Sequence, residues 1–305
     1  MELCNYLEKI RYGRNVSQEE FVSGIVSIRQ YQRYKIGVSD IPYDKISQFA
    51  EKLGLNSKKL LSEFEKEKTK QYVKINAFYN AVANNDYKNA IKLKQELDSD
   101  HIISFEGMQY YQHANIVFKY YSRELSLSEV INKVSELINY PKILKQQYYT
   151  DVEVLILSFL LNVFTGKQQD MLLNKLNSIF EDAENIMSGD SEYIYTLILM
   201  RIAKIFGIKR DYPKVLYYCQ LGIERGLQHK QYYLWEYFYY YKALAHYALG
   251  QKELFDDALL KCYHVLQMEG NHSKVEKFTN LIEKDFSINY KRYVFSLINP
   301  NPSEE

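Results

Sequence analysis

Apolar residues recur along this chain mostly at spacings of three and four, the period of one face of a helix, and only five prolines and twelve glycines interrupt the pattern. That periodicity predicts an all-α protein. The stretch up to residue 64 divides into five short helices. Residues 2 to 12 form the first, and Ser17 caps a second that carries Glu19 and Glu20 in its first turn, where the helix dipole favours acids. A third covers "SIRQYQRYK" and is stopped by Gly37. "SDIPYDKISQFAEKLG" puts Pro42 early in a fourth and Gly54 at its end, and "NSKKLLSEF" opens a fifth behind Asn56 or Ser57. "EKEKTKQ", residues 65–71, is polar, charged and compatible with helix, and it reads as a helical linker.

Beyond the linker the pattern repeats in units of about 36 residues, each pairing a longer helix with a shorter one. The clearest internal echoes are "ANNDYKNAIKL" at residues 83–93 and "IKRDYPKVLYY" at residues 208–218. Both put Asp-Tyr at the turn between helices, with Ala90 or Val215 three positions after the Tyr, which is the turn-and-second-helix signature of tetratricopeptide (TPR) repeats. Extending the register gives units 68–100, 104–140, 148–185, 190–226 and 231–268, with capping helices from about residue 272. Ala114, Ser158, Ala203 and Ala243 then fall where the first helix of each unit approaches its neighbour. The expected architecture is a helical domain over residues 1–64, the linker 65–71, a right-handed TPR-like solenoid with a concave inner face over 72–298, and a tail 299–305. A generic helical-hairpin solenoid is the alternative.

Composition narrows the function. Hydrophobic content of 47% and charged content of 25% over 305 residues belong to a folded, soluble protein. A net charge of +1 excludes a wholly basic nucleic-acid binder and leaves room for a local patch; residues 1–37 carry Lys9, Arg11, Arg14, Arg29, Arg33 and Lys35 against Glu2, Glu8, Glu19 and Glu20. Cys4, Cys219 and Cys262 are odd in number and far apart, which points to a reducing compartment. No N-terminal signal is visible, and the longest apolar run, Val154 to Phe164, falls short of the roughly 20 residues that span a bilayer. A cytoplasmic protein without membrane contact is expected. Thirty tyrosines reflect either nucleotide bias or a binding surface. The six histidines are scattered, "CYH" at 262–264 lacks partners at metal-ligand spacing, and no Gly-rich phosphate loop occurs, so neither enzyme activity, cofactor nor metal is expected.

The chemistry that remains lies near the N-terminus. "SQEEFVS" and "SIRQYQRYK" are two short helices joined by a tight turn, the helix-turn-helix plan, whose second helix enters a DNA major groove. With Val16, Phe21, Val26, Tyr31 and Tyr34 as core, Gln18, Ser27, Ile28, Arg29, Gln30 and Arg33 are left to face double-stranded DNA. Arg and Gln make bidentate hydrogen bonds to base edges, Ser27 and backbone amides at helix starts bind phosphates, and Ile28 can touch a thymine methyl. The competing reading is an ordinary solvated helix face.

The segment "VSQEEFVSGIVSIRQYQRYKIGVSDIPYDKI" resembles the Xre-type DNA-binding domain at the front of Rgg-type regulators, and the repeats behind it resemble their peptide-binding domain. The chain as a whole resembles the RRNPP family of peptide-pheromone-responsive transcription factors, with Lys35 standing where such domains often carry Glu. The resemblance implies a regulator of quorum sensing controlled by a short signalling peptide. One module reads only a half-site, so a homodimer on its operator is expected. In the repeat register the inward positions include Tyr111, Asn115, Asn162, Lys204, Tyr237 and Tyr240. Asn amides can both donate to and accept from an extended peptide backbone. Lys204 would meet a carboxylate and the tyrosines would wall pockets. Two alternatives share parts of this plan: a Rap-like, peptide-regulated protein binder without DNA binding, and an arbitrium-type phage lysogeny regulator.

Overall fold

Side-chain caps set the first elements. In the computed structural model, which describes residues 2–84, 86–181, 186–187 and 192–299, α1 (Glu2–Gly13) is followed by α2 (Gln18–Val22) and α3 (Ile28–Lys35). Ser17 Oγ accepts from the Glu20 amide and Ser27 Oγ from the Gln30 amide, each at 3.1 Å, so both helices of the pair begin on a serine cap. α4 (Tyr43–Lys52) follows, and Asn56 then caps α5 (Ser57–Ala83) at 2.8 Å. Leu7, Phe21, Tyr31, Phe49 and Leu60 are buried in one core, where Phe21 stacks on Phe49 at 5.0 Å and meets Tyr31 edge-on at 5.9 Å. Val16 and Val26, expected inside, are half-buried against that core.

α5 runs through residues 65–71 without a break. Its first half contributes Leu60 and Phe64 to the N-terminal core; its second half buries Ile75, Phe78, Tyr79 and Val82. α6 (Tyr87–Ser99) and α7 (Phe105–Tyr121) pack against it. The segment between them returns to the N-terminal helices: Ile103 joins their core, Lys9 Nζ donates to Glu67 at 2.7 Å and to Asp100 at 2.8 Å, and the Phe105 amide donates to Glu2 at 2.6 Å. The chain's two compact units are Met1–Lys133 and Val134–Glu305, and their division falls within α8 (Leu127–Leu137) rather than at residues 65–71.

The second unit opens with a 3₁₀ turn (Lys142–Lys145) and continues through β1 (Tyr149–Thr150), α9 (Asp151–Val163), α10 (Gly166–Glu181) and β2 (Ile186–Met187). It then runs α11 (Glu192–Ile208), α12 (Tyr212–Gln228), α13 (Trp235–Ala248), α14 (Lys252–Glu269), α15 (His272–Phe286) and α16 (Tyr290–Ile298). β1 and β2 form a two-residue parallel pairing that the helical period does not announce. The two Asp-Tyr echoes are N-caps: Asp86 and Asp211 accept from the amides of Asn89 and Lys214, and the Ala90 and Val215 that follow are buried. Ala114, Ser158, Ala203 and Ala243 are all fully buried, as close helix contacts require. α12 meets α13 through Gly222 and Gly226, where an added Cβ would stand 2.2 Å from the Phe238 ring and 2.4 Å from Trp235 Nε1. Residues 182–185, 188–191 and 300–305, which include the expected tail beyond Asn299, lie outside the described residues, as do Met1 and, in the first echo, Asn85.

Candidate functional site

In the first unit the position of α3 is fixed by one acid. Glu8 on α1 is 6% exposed. Its Oε1 accepts from Arg11 Nε at 2.8 Å and from the Tyr31 hydroxyl at 3.0 Å; its Oε2 accepts from Lys35 Nζ and Arg11 Nη2 at 3.1 Å each, and from Gln18 Nε2 at 3.4 Å. Burial pushes the Glu8 carboxyl up, but the hydrogen bonds from Arg11, Lys35 and Tyr31 outweigh it and hold the pKa at about 2. Tyr31 and Lys35 stand one helical turn apart, so the inner face of α3 is held at two points on the same carboxylate.

The outer face is left open. Arg29 and Arg33, again one turn apart, are exposed, and among the described residues neither side chain makes an intramolecular hydrogen bond or ion pair. Ile28 beside them is 41% exposed. Ser27 is exposed but engaged as the α3 cap. The remaining two expected contacts are tied into the protein: Gln30 is half-buried and donates to Ser39 Oγ at 3.1 Å, while Gln18 accepts from Gln32 at 2.7 Å and donates to Glu8. Sequence reasoning missed the bracing role of Glu8 and Lys35. Its one signal was an acid at a core position of α1, between Cys4 and Arg11 in helical register.

The expected peptide residues split between the units. In the first, Tyr111 is buried against Phe78, with its hydroxyl bonded to Asp98 on α6, which makes it an interhelical packing residue. Asn115, one turn on, is half-buried with an Oδ1 that has no hydrogen-bond partner. In the second unit Tyr240 is likewise buried, its hydroxyl on Asp285 and its ring edge-on to Phe278. The other three lie among cations. Asn162 is exposed, with Oδ1 3.5 Å from Lys204 Nζ. Desolvation, then the charges of Arg201 and Lys277, push the Lys204 pKa down. Tyr237 accepts from Lys277 Nζ at 2.8 Å, and burial, then the Lys274 charge, push Lys277 down too.

Arg201, three residues before Lys204 on the same face of α11, spends its guanidinium on Leu155 O at 3.1 Å and Ser158 Oγ at 2.6 Å. Lys204 thus faces the charges of both Arg201 and Lys277, and a bound anion would relieve it. Lys277 was missed because it lies in a helix read as a cap; Arg201 was legible only as the i−3 neighbour of Lys204. Among the described residues no group of three or more His, Cys, Asp or Glu side chains can hold a metal ion, and no helix is long and apolar enough to cross a membrane.

No protein-family model and no curated protein matches this chain. Among solved structures it is similar to Bacillus thuringiensis PlcR in complex with the peptide PapR7 and DNA, with a TM-score of 0.57 at 17% identity over 92% of this chain and 99% of that one. The apo form of B. thuringiensis PlcR gives 0.52 at 18% identity over 91% and 98%. Apo ComR from S. thermophilus gives 0.50 at 17% identity over 92% and 99%. The chain therefore has the fold of the RRNPP regulators, a helix-turn-helix region followed by TPR-like helical repeats.

Proposed function

We propose that this chain is a DNA-binding transcriptional regulator of quorum sensing, controlled by a short signalling peptide. The observation that carries the reading is the braced α3, whose only free long side chains of the expected set are Arg29 and Arg33 on its outer face. The fold shared with a PlcR solved with peptide and DNA supports it. α3 enters the major groove; Arg29 and Arg33 read base edges, Ile28 meets a thymine methyl, and the cap at Ser27 approaches a phosphate. Gln18 and Gln30 contribute once they release Glu8 and Ser39. The chain acts in the cytoplasm as a homodimer, each copy reading one half-site. Residues 1–64 read DNA, 65–71 connect, and 72–298 receive the peptide and dimerise.

The peptide's carboxylate lies between Lys204 and Lys277, Asn162 bonds its backbone, and Tyr237 walls an apolar side chain; Asn115 offers a further backbone partner in the first unit. The peptide acts through its differential affinity for two arrangements of the protein. Genome-wide mapping of bound DNA, with and without conditioned medium and with an Arg33→Ala control, tests the reading. Discrete sites that depend on Arg33 and change with the medium support it; an absence of discrete sites in both conditions overturns DNA binding and favours the Rap-like alternative.

A further inference from the structure

Between the start of α13, the end of α14 and the start of α15 lies a cavity of about 370 Å³. Its walls are largely aromatic and apolar, with Tyr232, Tyr233, Trp235 and Met268 among them. Its charged groups are two carboxylates, Glu236 and Glu269, and a single ammonium, Lys274. Glu236 is 1% exposed and Lys274 8%. Lys274 Nζ donates to both oxygens of Glu269, at 2.9 and 2.7 Å, and stands 2.6 Å from Glu236 Oε1. That last contact is a buried ion pair, and Glu236 Oε1 has no hydrogen-bond partner beyond it.

A carboxylate sealed among apolar groups is costly unless its charge and lone pairs are fully met. Here one ammonium serves two carboxylates, and burial, opposed by Lys274, pushes the Glu236 pKa up. Among the groups that line the cavity, carboxylates outnumber ammonium groups by one.

We propose that this cavity binds an organic cation, an ammonium or guanidinium group on an aliphatic stem. The cation completes the compensation of Glu236 and Glu269. Indole and phenol faces attract it further, and Met268 and Val265 pack on the stem. An anion would meet excess negative charge, and a neutral guest would leave Glu236 as it is. The volume suits a small ligand or one long side chain. Glu236 and Lys274 neighbour Tyr237 and Lys277 on the same helices, so a basic side chain of a peptide lying there reaches the cavity, as does a free polyamine. The site stands whether or not a peptide is the physiological signal.

Trp235 is the only tryptophan in the chain, so its emission reports on the cavity. Full-length protein is titrated with n-butylammonium, n-butylguanidinium and neutral butyramide. Both cations should change the emission saturably and the amide should not. Glu236→Gln should weaken cation binding by about tenfold or more, and Glu269→Gln, at a more exposed position that leaves Glu236 and Lys274 in place, should weaken it by a smaller factor. Circular dichroism establishes that each variant folds. The proposal is overturned by no saturable response to either cation, by an equal response to butyramide, or by parent-like affinity in a folded variant. If Glu236→Gln fails to fold, Glu269→Gln decides alone. Putrescine and an acetylated, amidated alanine peptide with one central lysine separate the sources: tighter binding of one identifies it, and binding of neither overturns the proposal.

Discussion

The Tyr31 hydroxyl donates to Glu8 Oε1 at 3.0 Å, which ties the helix that carries Arg29 and Arg33 to the first helix of the chain. Lys35 reaches the other oxygen of the same carboxylate at 3.1 Å. A helix of eight residues has little stability of its own, so its orientation depends on such anchors.

Glu8→Gln should therefore cost more than its small change in shape suggests. It leaves the buried Arg11 guanidinium without its carboxylate, at a cost of about 3 kcal/mol, and it frees Lys35. Urea unfolding should show a lower midpoint with an unchanged slope, and a midpoint equal to the parent's would refute the bracing role.

The same carboxylate sets a pH dependence. Its pKa falls from 4.5 to about 2 on folding, so its contribution is complete above pH 4.5 and is lost as the pH drops toward 2. Over that window the parent should lose stability more steeply than Glu8→Gln. Parallel stability curves would show that Glu8 is not the group responsible.

Arg29→Ala and Arg33→Ala should each weaken operator binding by about 1–3 kcal/mol at fixed salt without altering the melting temperature. Gln30→Ala should do less, since Gln30 is already engaged by Ser39. Gel shifts that rank Gln30 above both arginines would contradict the exposed face described for α3.

Gly222→Ala should destabilise the second unit, because the new methyl would stand 2.2 Å from the fully buried Phe238 ring. Overpacking of this kind costs about 1–3 kcal/mol. Gly250→Ala, where no atom lies near, removes the packing term and leaves only backbone strain at φ +69°. Comparing the two by thermal unfolding separates packing from conformation.

Lys204→Ala and Lys277→Ala should each weaken the cognate peptide's free acid while leaving its C-terminal amide little changed. Calorimetry with both forms checks this. Equal losses for acid and amide would move the carboxylate away from this cluster.

Much of this architecture is legible in the chain because it is written locally. Ser17, Ser27, Asp86 and Asp211 act within three residues of themselves, and the burial of Ala90 and Val215 follows from their place after a cap. The sites are less legible because their partners are distant. Nothing near Tyr111 or Tyr240 announces that Asp98 and Asp285 will hold their hydroxyls, so neither bond is legible in the sequence. The cavity beside Glu236 needs three helices, and its single shared ammonium lies 38 residues away on Lys274. The β1 and β2 pairing is two residues long, too short for any alternation to show.

The unbroken α5 gives α3 an angular setting. Leu60 and Phe64 at one end engage the N-terminal core, Ile75 and Phe78 at the other engage the first hairpin, and the polar run between them is one rigid shaft. Each residue added to that shaft turns one end against the other by about 100° and moves it about 1.5 Å. One inserted alanine would swing α3 far off its bearing, whereas four would return it nearly to phase. Within the run, Glu67 is held by Lys9, and Gln71 by the His101 carbonyl and the Ile103 amide, but the heading of the outer face of α3 depends on how many residues the run contains: it is stored as a count.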